Sequence, residues 1–193
     1  MKNKKEKQMK HIMILTAAAA LFTAGAWAQS TEVGQRAENQ QDRIAQGAGS
    51  GSLTAGETAN LETKESAIHQ EVRTDRSLNG GHLTGQEKQT VNQQQNQMSR
   101  QIYADKHNAA VQKYGNNEVG ARRENQQDRI ANGIASGRLN AAQTARLENG
   151  ETSINKEVHT DRSANGGKLT PAERQQVNRQ QNAMSRKIYR AKH

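Results

Sequence analysis

Leu61, Ile68 and Val72 stand seven and four residues apart, and Val91, Met98 and Ile102 repeat that spacing. The same two sets recur as Leu147, Ile154, Val158 and Val177, Met184, Ile188. Apolar residues at these intervals share one side of a 3.6-residue helix and leave the rest of the surface polar. A weaker face precedes each pair of stripes, at Val33, Ala37 and Ile44 and at Val119, Ile130 and Ile134. No stretch alternates with period two, so the pattern predicts three helices per unit and six in all, without a sheet. The expected fold class is all-α: two tandem three-helix units with a thin coiled-coil-like core.

The two units are copies. Residues 33–107 align with 119–193 at a constant offset of 86 without a gap, and 47 of the 75 positions are identical; one structural unit is therefore used twice. Each internal junction has the form Gly-x-Leu-Thr/Asn-x-x-Glu/Gln, at Leu53-Thr54 with Glu57, Leu83-Thr84 with Glu87, Leu139-Asn140 with Gln143 and Leu169-Thr170 with Glu173. This spacing predicts four capping boxes, in which the Thr or Asn accepts an amide three residues on and the Glu or Gln reaches back to the cap's own N–H. Pro171 falls at a first helical position, where its missing N–H costs nothing. Gly51, Gly81, Gly137 and Gly167 fall where the preceding helix needs a left-handed residue to stop.

The first residues change the charge and the compartment. Met1 to His11 carries five lysines and one glutamate, Ile12 to Ala26 is apolar or small, and Ala26-Trp27-Ala28 has the small-x-small form of a cleavage site. This predicts a signal peptide over 1–28, cleaved after Ala28, with a first unit at 29–107, a linker at 108–118 and a second unit at 119–193. An apolar run of about 15 residues is shorter than the roughly 20 that a membrane span requires. Removing the leader reduces the formal charge from +9 to +5, with 23 basic and 18 acidic residues left. The basic residues are interleaved with acids and the only later aromatics are Tyr103, Tyr114 and Tyr189, which argues against nucleic acid because no stacking platform exists. There is no cysteine, hence no disulfide framework, thiolate chemistry or lipobox. The expectation is a periplasmic or secreted bacterial protein.

Candidate chemistry is sparse. Upstream of two junctions, DRSLNGG and DRSANGG offer oxygen ligands for calcium, the one cofactor the sequence suggests: Asp75, Ser77, Asn79 and Glu87, and Asp161, Ser163, Asn165 and Glu173. An EF-hand loop needs oxygens at positions 1, 3 and 5, a glycine at 6 and a glutamate at 12. Counting from Asp161 places Ser163, Asn165 and Gly166 correctly, but position 12 is Ala172 and the glutamate comes one residue late. The first unit fails in the same way, with Gln86 at position 12, so helix punctuation is the stronger reading and a weak calcium site the weaker one. His159, Asp161 and Ser163 carry triad residue types but lie within five positions of one another and cannot converge; no enzymatic activity is expected. The polar runs ENQQDR and NQQQNQ read as solvated helical faces. Arg36, Arg43, Arg100, Arg122, Arg129 and Arg186 are the candidates for contact with an anionic partner, the alternative being local salt bridges.

Each unit has only twelve Leu, Ile, Val, Met or Tyr residues, too few for an isolated core of its length. Packing between the units, self-association into a homo-oligomer or a partner must complete it. The pattern R-x-E-N-Q-Q-D-R-I-A-x-G-x-x-S-G-x-L, followed by D-R-S-x-N-G-G-x-L-T-x-x-E and M-S-R-x-I-Y-x-x-K-H, resembles a set of small exported proteobacterial helical-repeat proteins with degenerate EF-hand-like L-T-x-x-E junctions. The resemblance covers both units and implies an exported helical protein, with no activity to carry over; Gly80 and Gly166 depart from the D-G form of that family's junction. The junctions also look like the L-T-x-x-Q motifs of periplasmic stress chaperones. The expected function is a non-catalytic binding or structural module for an unidentified protein or an anionic envelope polymer, with weak calcium binding and a chaperone-like role as alternatives.

Overall fold

The computed structural model describes residues 32–193; the leader predicted at 1–28 lies outside the described residues. Six helices follow in order: α1 Glu32–Ser50, α2 Ala55–Leu78, α3 Gly85–Lys106, α4 Glu118–Ala135, α5 Ala141–Ala164 and α6 Pro171–Lys192. No strand occurs among the described residues, and no helix there is long and apolar enough to cross a membrane.

The predicted punctuation is present. Thr54, Thr84, Asn140 and Thr170 each accept the amide of the residue three ahead, and Glu57, Glu87, Gln143 and Glu173 return to the cap backbone, closing four capping boxes. Gly81 and Gly167 have φ of 93° and 87° and donate to the carbonyls of Arg76 and Arg162, both at 2.7 Å, a five-residue step back that terminates α2 and α5. The glycines before them, Gly80 and Gly166, are left-handed as well, at 61° and 60°.

Each unit folds α3 onto α1 and α2, or α6 onto α4 and α5. Between the units, equivalent helices meet: α2 packs on α5 and α1 on α4. Like against like is the arrangement of an isologous dimer, here within one chain. Small residues allow the approach: a Cβ on Gly49 would stand 3.3 Å from that of Ala131, and one on Gly56 would stand 3.8 Å from the Thr152 hydroxyl. Ala55, Ala59, Ala141 and Ala145 are buried. The apolar stripes of both units join one continuous cluster running from Ile44 through Leu61 and Met98 to Leu147 and Ile188. The shortage of apolar side chains is thus met by the other copy.

Two expectations about which residues are buried change. Tyr103 and Tyr189, counted with the core residues, are 62% and 60% exposed and lie against the rings of His107 and His193 with centroids 4.2 and 4.5 Å apart. Conversely, the polar runs are not simply solvated faces: Gln40, Gln95, Gln126, Gln127 and Gln181 are buried. Gln40 and Gln126 donate to the carbonyls of Gln95 and Gln181 at 2.7 and 2.8 Å, and these donate in turn to the carbonyls of Val33 and Val119 at 2.9 and 3.0 Å. The Nε2 groups are thus satisfied by backbone oxygens while the four Oε1 atoms have no partner, and the Nε2 bonds join the first helix of each unit to the third.

The segment between the units is pinned. The Gln112 amide donates to the Gly51 carbonyl at 2.9 Å, and its side-chain oxygen accepts from the Ala55 amide at 3.3 Å. Asn108 donates to Glu57 at 2.6 Å. The chain then crosses the first turn of α4 so closely that a Cβ on Gly120 would collide with the carbonyl oxygens of Tyr114 and Gly115.

Candidate functional site

The two calcium-like loops are organised around hydrogen bonds. In the first, the Asn79 side-chain amide donates to both Glu87 oxygens, at 2.9 and 3.0 Å, and to the Asp75 carbonyl at 2.9 Å. Ser77 donates to the Thr74 carbonyl at 2.7 Å. The second repeats this, with Asn165 donating to Glu173 at 2.9 and 3.0 Å and Ser163 donating to the His159 carbonyl at 2.8 Å. Bonding to the cap backbone pulls the carboxyls of Glu87 and Glu173 below the usual range. Partial desolvation, then the neighbouring glutamates, raises those of Asp75 and Asp161. A cation needs the asparagine oxygen and a free glutamate, whereas the amide here points its donor at that glutamate. Among the described residues no group of three or more His, Asp or Glu is placed to hold a metal ion. In this arrangement the loop side chains serve the helix caps. Nor does the VHTDRS segment form a relay, since Ser163 bonds the His159 backbone rather than its ring.

Four of the candidate arginines join helices within a unit. Arg43 and Arg129 donate to the hydroxyl and carbonyl of Ser99 and Ser185 respectively. Arg36 and Arg122 reach Asn96 and Asn182 and pair with Glu32 and Glu118 at 2.9 and 3.1 Å. Arg129 and Arg186 meet in a small cleft with Tyr189 and Arg190. Arg100 lies exposed on α3.

A layer of acid that the sequence reading did not single out lies at the seam between the units. Glu62 and Glu65 on α2 and Glu148 and Glu151 on α5 are at most 1% exposed. The first of each pair accepts from a glutamine of its own unit, Gln41 at 3.0 Å and Gln127 at 2.7 Å. The other oxygen of Glu62 and of Glu148, and both oxygens of Glu65 and Glu151, accept no hydrogen bond, although His69 Nε2 stands 3.4 Å from Glu65. Burial pushes Glu62 up to about 7, partly offset by Gln41 and raised again by Glu65. Burial likewise lifts Glu148 well above the usual range, with Glu151 and Glu62 adding to it. Glu151 also reaches about 7 through burial, held there by Arg123. Glu62, Glu148 and Glu151 so placed keep their protons into the neutral range. The one sequence signal was position: Ala55, Ala59 and Glu62, like Ala141, Ala145 and Glu148, follow helical spacing on a stripe of small residues.

At one end of this seam an open cleft of about 710 Å³ is bounded by the first turn of α2, the linker and α5, with Lys113, Arg123, Thr152, Asn155, His159 and Arg162 in its lining. Arg123 is only 8% exposed, and its guanidinium carbon stands 5.7 Å from the Tyr114 ring centre. Burial lowers its pKa, opposed by the Glu151 charge. Its Nε has no hydrogen-bond partner, and the same is true of Thr152 Oγ1 and Asn155 Oδ1. Arg162 is held by Asn117 at 3.3 Å. Sequence reasoning passed over Arg123 because its counterpart is Ala37, so the repeat pattern gave it no weight. No family model, curated protein or solved structure matches this chain.

Proposed function

We propose that this chain is an exported, non-catalytic helical-repeat module that binds an acidic partner, with an anionic envelope polymer as the favoured class. The observation that carries this reading is the cationic cleft at the inter-unit seam, where Lys113, Arg123 and Arg162 converge. Most other candidate arginines are used in holding helices together. Export rests on the Lys-rich start, the apolar run and the Ala26-Trp27-Ala28 step, and membership in the family of small exported proteobacterial proteins rests on the motif pattern. A body of two like units with a pinned linker suits a scaffold that presents one surface rather than one that turns over a substrate.

The test is co-sedimentation of the purified protein with peptidoglycan sacculi and with lipopolysaccharide, at low and high salt. Retention at low salt and release at high salt on either polymer is the expected result, because contacts between exposed charges are screened. Failure to sediment with both at low salt sinks the polymer reading.

A further inference from the structure

We propose that Arg123 anchors a ligand site in the inter-unit cleft for a small molecule or chain end bearing an oxyanion, a carboxylate or a phosphate. The proposal deepens the acidic-partner reading by naming the chemical group recognised, and it rests on that reading.

The argument begins with the cost of the arginine. A guanidinium carries five donors and stays charged, and taking it out of water is unfavourable unless charge and hydrogen bonds are returned to it. Arg123 is nine-tenths buried, yet its Nε is unpartnered, and no hydrogen bond or ion pair to its guanidinium exists among the described residues. The Tyr114 face supplies partial compensation. The carboxyl that acts on it most strongly is Glu151, with which it makes no ion pair. Arg123 borders the cleft and its Nε is sealed from water, so an oxyanion in the cleft would meet the terminal nitrogens of the guanidinium, whose paired N–H groups suit carboxylate and phosphate equally.

The surroundings favour negative charge from other directions. The first turn of α2 borders the cleft, and the Gly56 amide, at the second position of that helix, has no intrahelical acceptor. Such amides and the helix dipole attract anions. Lys113 comes from the linker, and Arg162 and His159 from α5. Arg123 corresponds to Ala37, so the first unit lacks this guanidinium at the equivalent place.

The experiment is a ¹⁵N–¹H NMR titration of the purified protein with inorganic phosphate, with acetate and with uncharged glycerol. The expected result is saturable movement, with phosphate or acetate but not glycerol, of the Arg123 Nε–H, Gly56 and Thr152 signals; whichever anion binds more tightly identifies the group. Arg123→Lys keeps the charge but removes the fork and should weaken binding at least about tenfold, while Lys64→Ala, on an exposed part of α2, should leave it unchanged. Saturation absent with both anions at millimolar concentration, or shifts clustered away from the cleft, overturns the proposal. The mapping uses the unaltered protein and so stands even if a variant at Arg123 folds poorly. Oxyanion binding in the cleft without polymer sedimentation would leave this site standing and reject the polymer; sedimentation that Arg123→Lys does not weaken would do the reverse.

Discussion

The two units repeat the same scaffold hydrogen bonds and differ at the edge of their common seam. In both, an arginine donates to a serine on the third helix, a glutamine holds the first buried glutamate and an asparagine spans to the capping glutamate. The second buried glutamate is where they part. In the first unit Glu65 faces His69 on its own helix at 3.4 Å; in the second, position 155 is Asn and the cation near Glu151 is Arg123, from α4. Duplication thus preserved what holds the helices together and left the seam's margin free to diverge. The cleft lies at that margin because there the linker, present once between the copies, breaks the symmetry.

The comparison can be broken most forcefully in the core. Leu61→Ala and Leu147→Ala remove equivalent buried side chains and should each cost about 2–5 kcal/mol. Because both belong to one cluster, urea unfolding followed by circular dichroism should show a single transition for each variant. Two transitions, with only one displaced, would mean that the units fold independently.

Next in size is the response to pH. Glu62 and Glu151 hold pKa values of about 7 in the folded chain against 4.5 for an ordinary glutamate, so the folded state binds more protons between these values. Stability should therefore fall as pH rises from about 4.5 through 7, by roughly 3 kcal/mol for each group. Glu62→Gln removes one such ionisation, so it should melt higher than the unaltered protein at pH 8 and close to it at pH 4.5. A difference of the same size at both values would show that the shape of the side chain, not its charge, governs the seam. The capping glutamates act in the opposite direction: Glu87 and Glu173 have lowered pKa values, and what they contribute is lost as pH falls through those values.

Smaller still is the cap itself. Thr84→Ala and Thr170→Ala should each cost about 1 kcal/mol, equally in the two units, by chemical denaturation. A marked inequality would mean that Pro171, present only in the second unit, already holds that helix start. The smallest expected effect is that of calcium: since Asn79 and Asn165 donate to Glu87 and Glu173, melting temperatures in EDTA and in millimolar calcium should coincide. A rise with calcium would show that these loops can exchange their hydrogen bonds for ligation.

Six helices, their four capping boxes and the glycines that end them were legible along the chain, because each depends on residues within a few positions of one another. The duplication was legible too, because a constant offset of 86 without a gap shows in the sequence itself. What the polar side chains do was not. Gln40 and Gln95 sit in runs that read as solvent-facing and are buried, because their partners are carbonyls 55 and 62 residues away. Glu62 and Glu148 look like ordinary surface acids until α2 and α5 are brought face to face, and burial then raises their pKa values. Arg123 gains meaning only once the linker, α4 and α5 enclose it. Local sequence determined the helices and their ends; which charges lost their water depended on the pairing of the two copies, since desolvation is a property of the assembled surroundings and not of the residue.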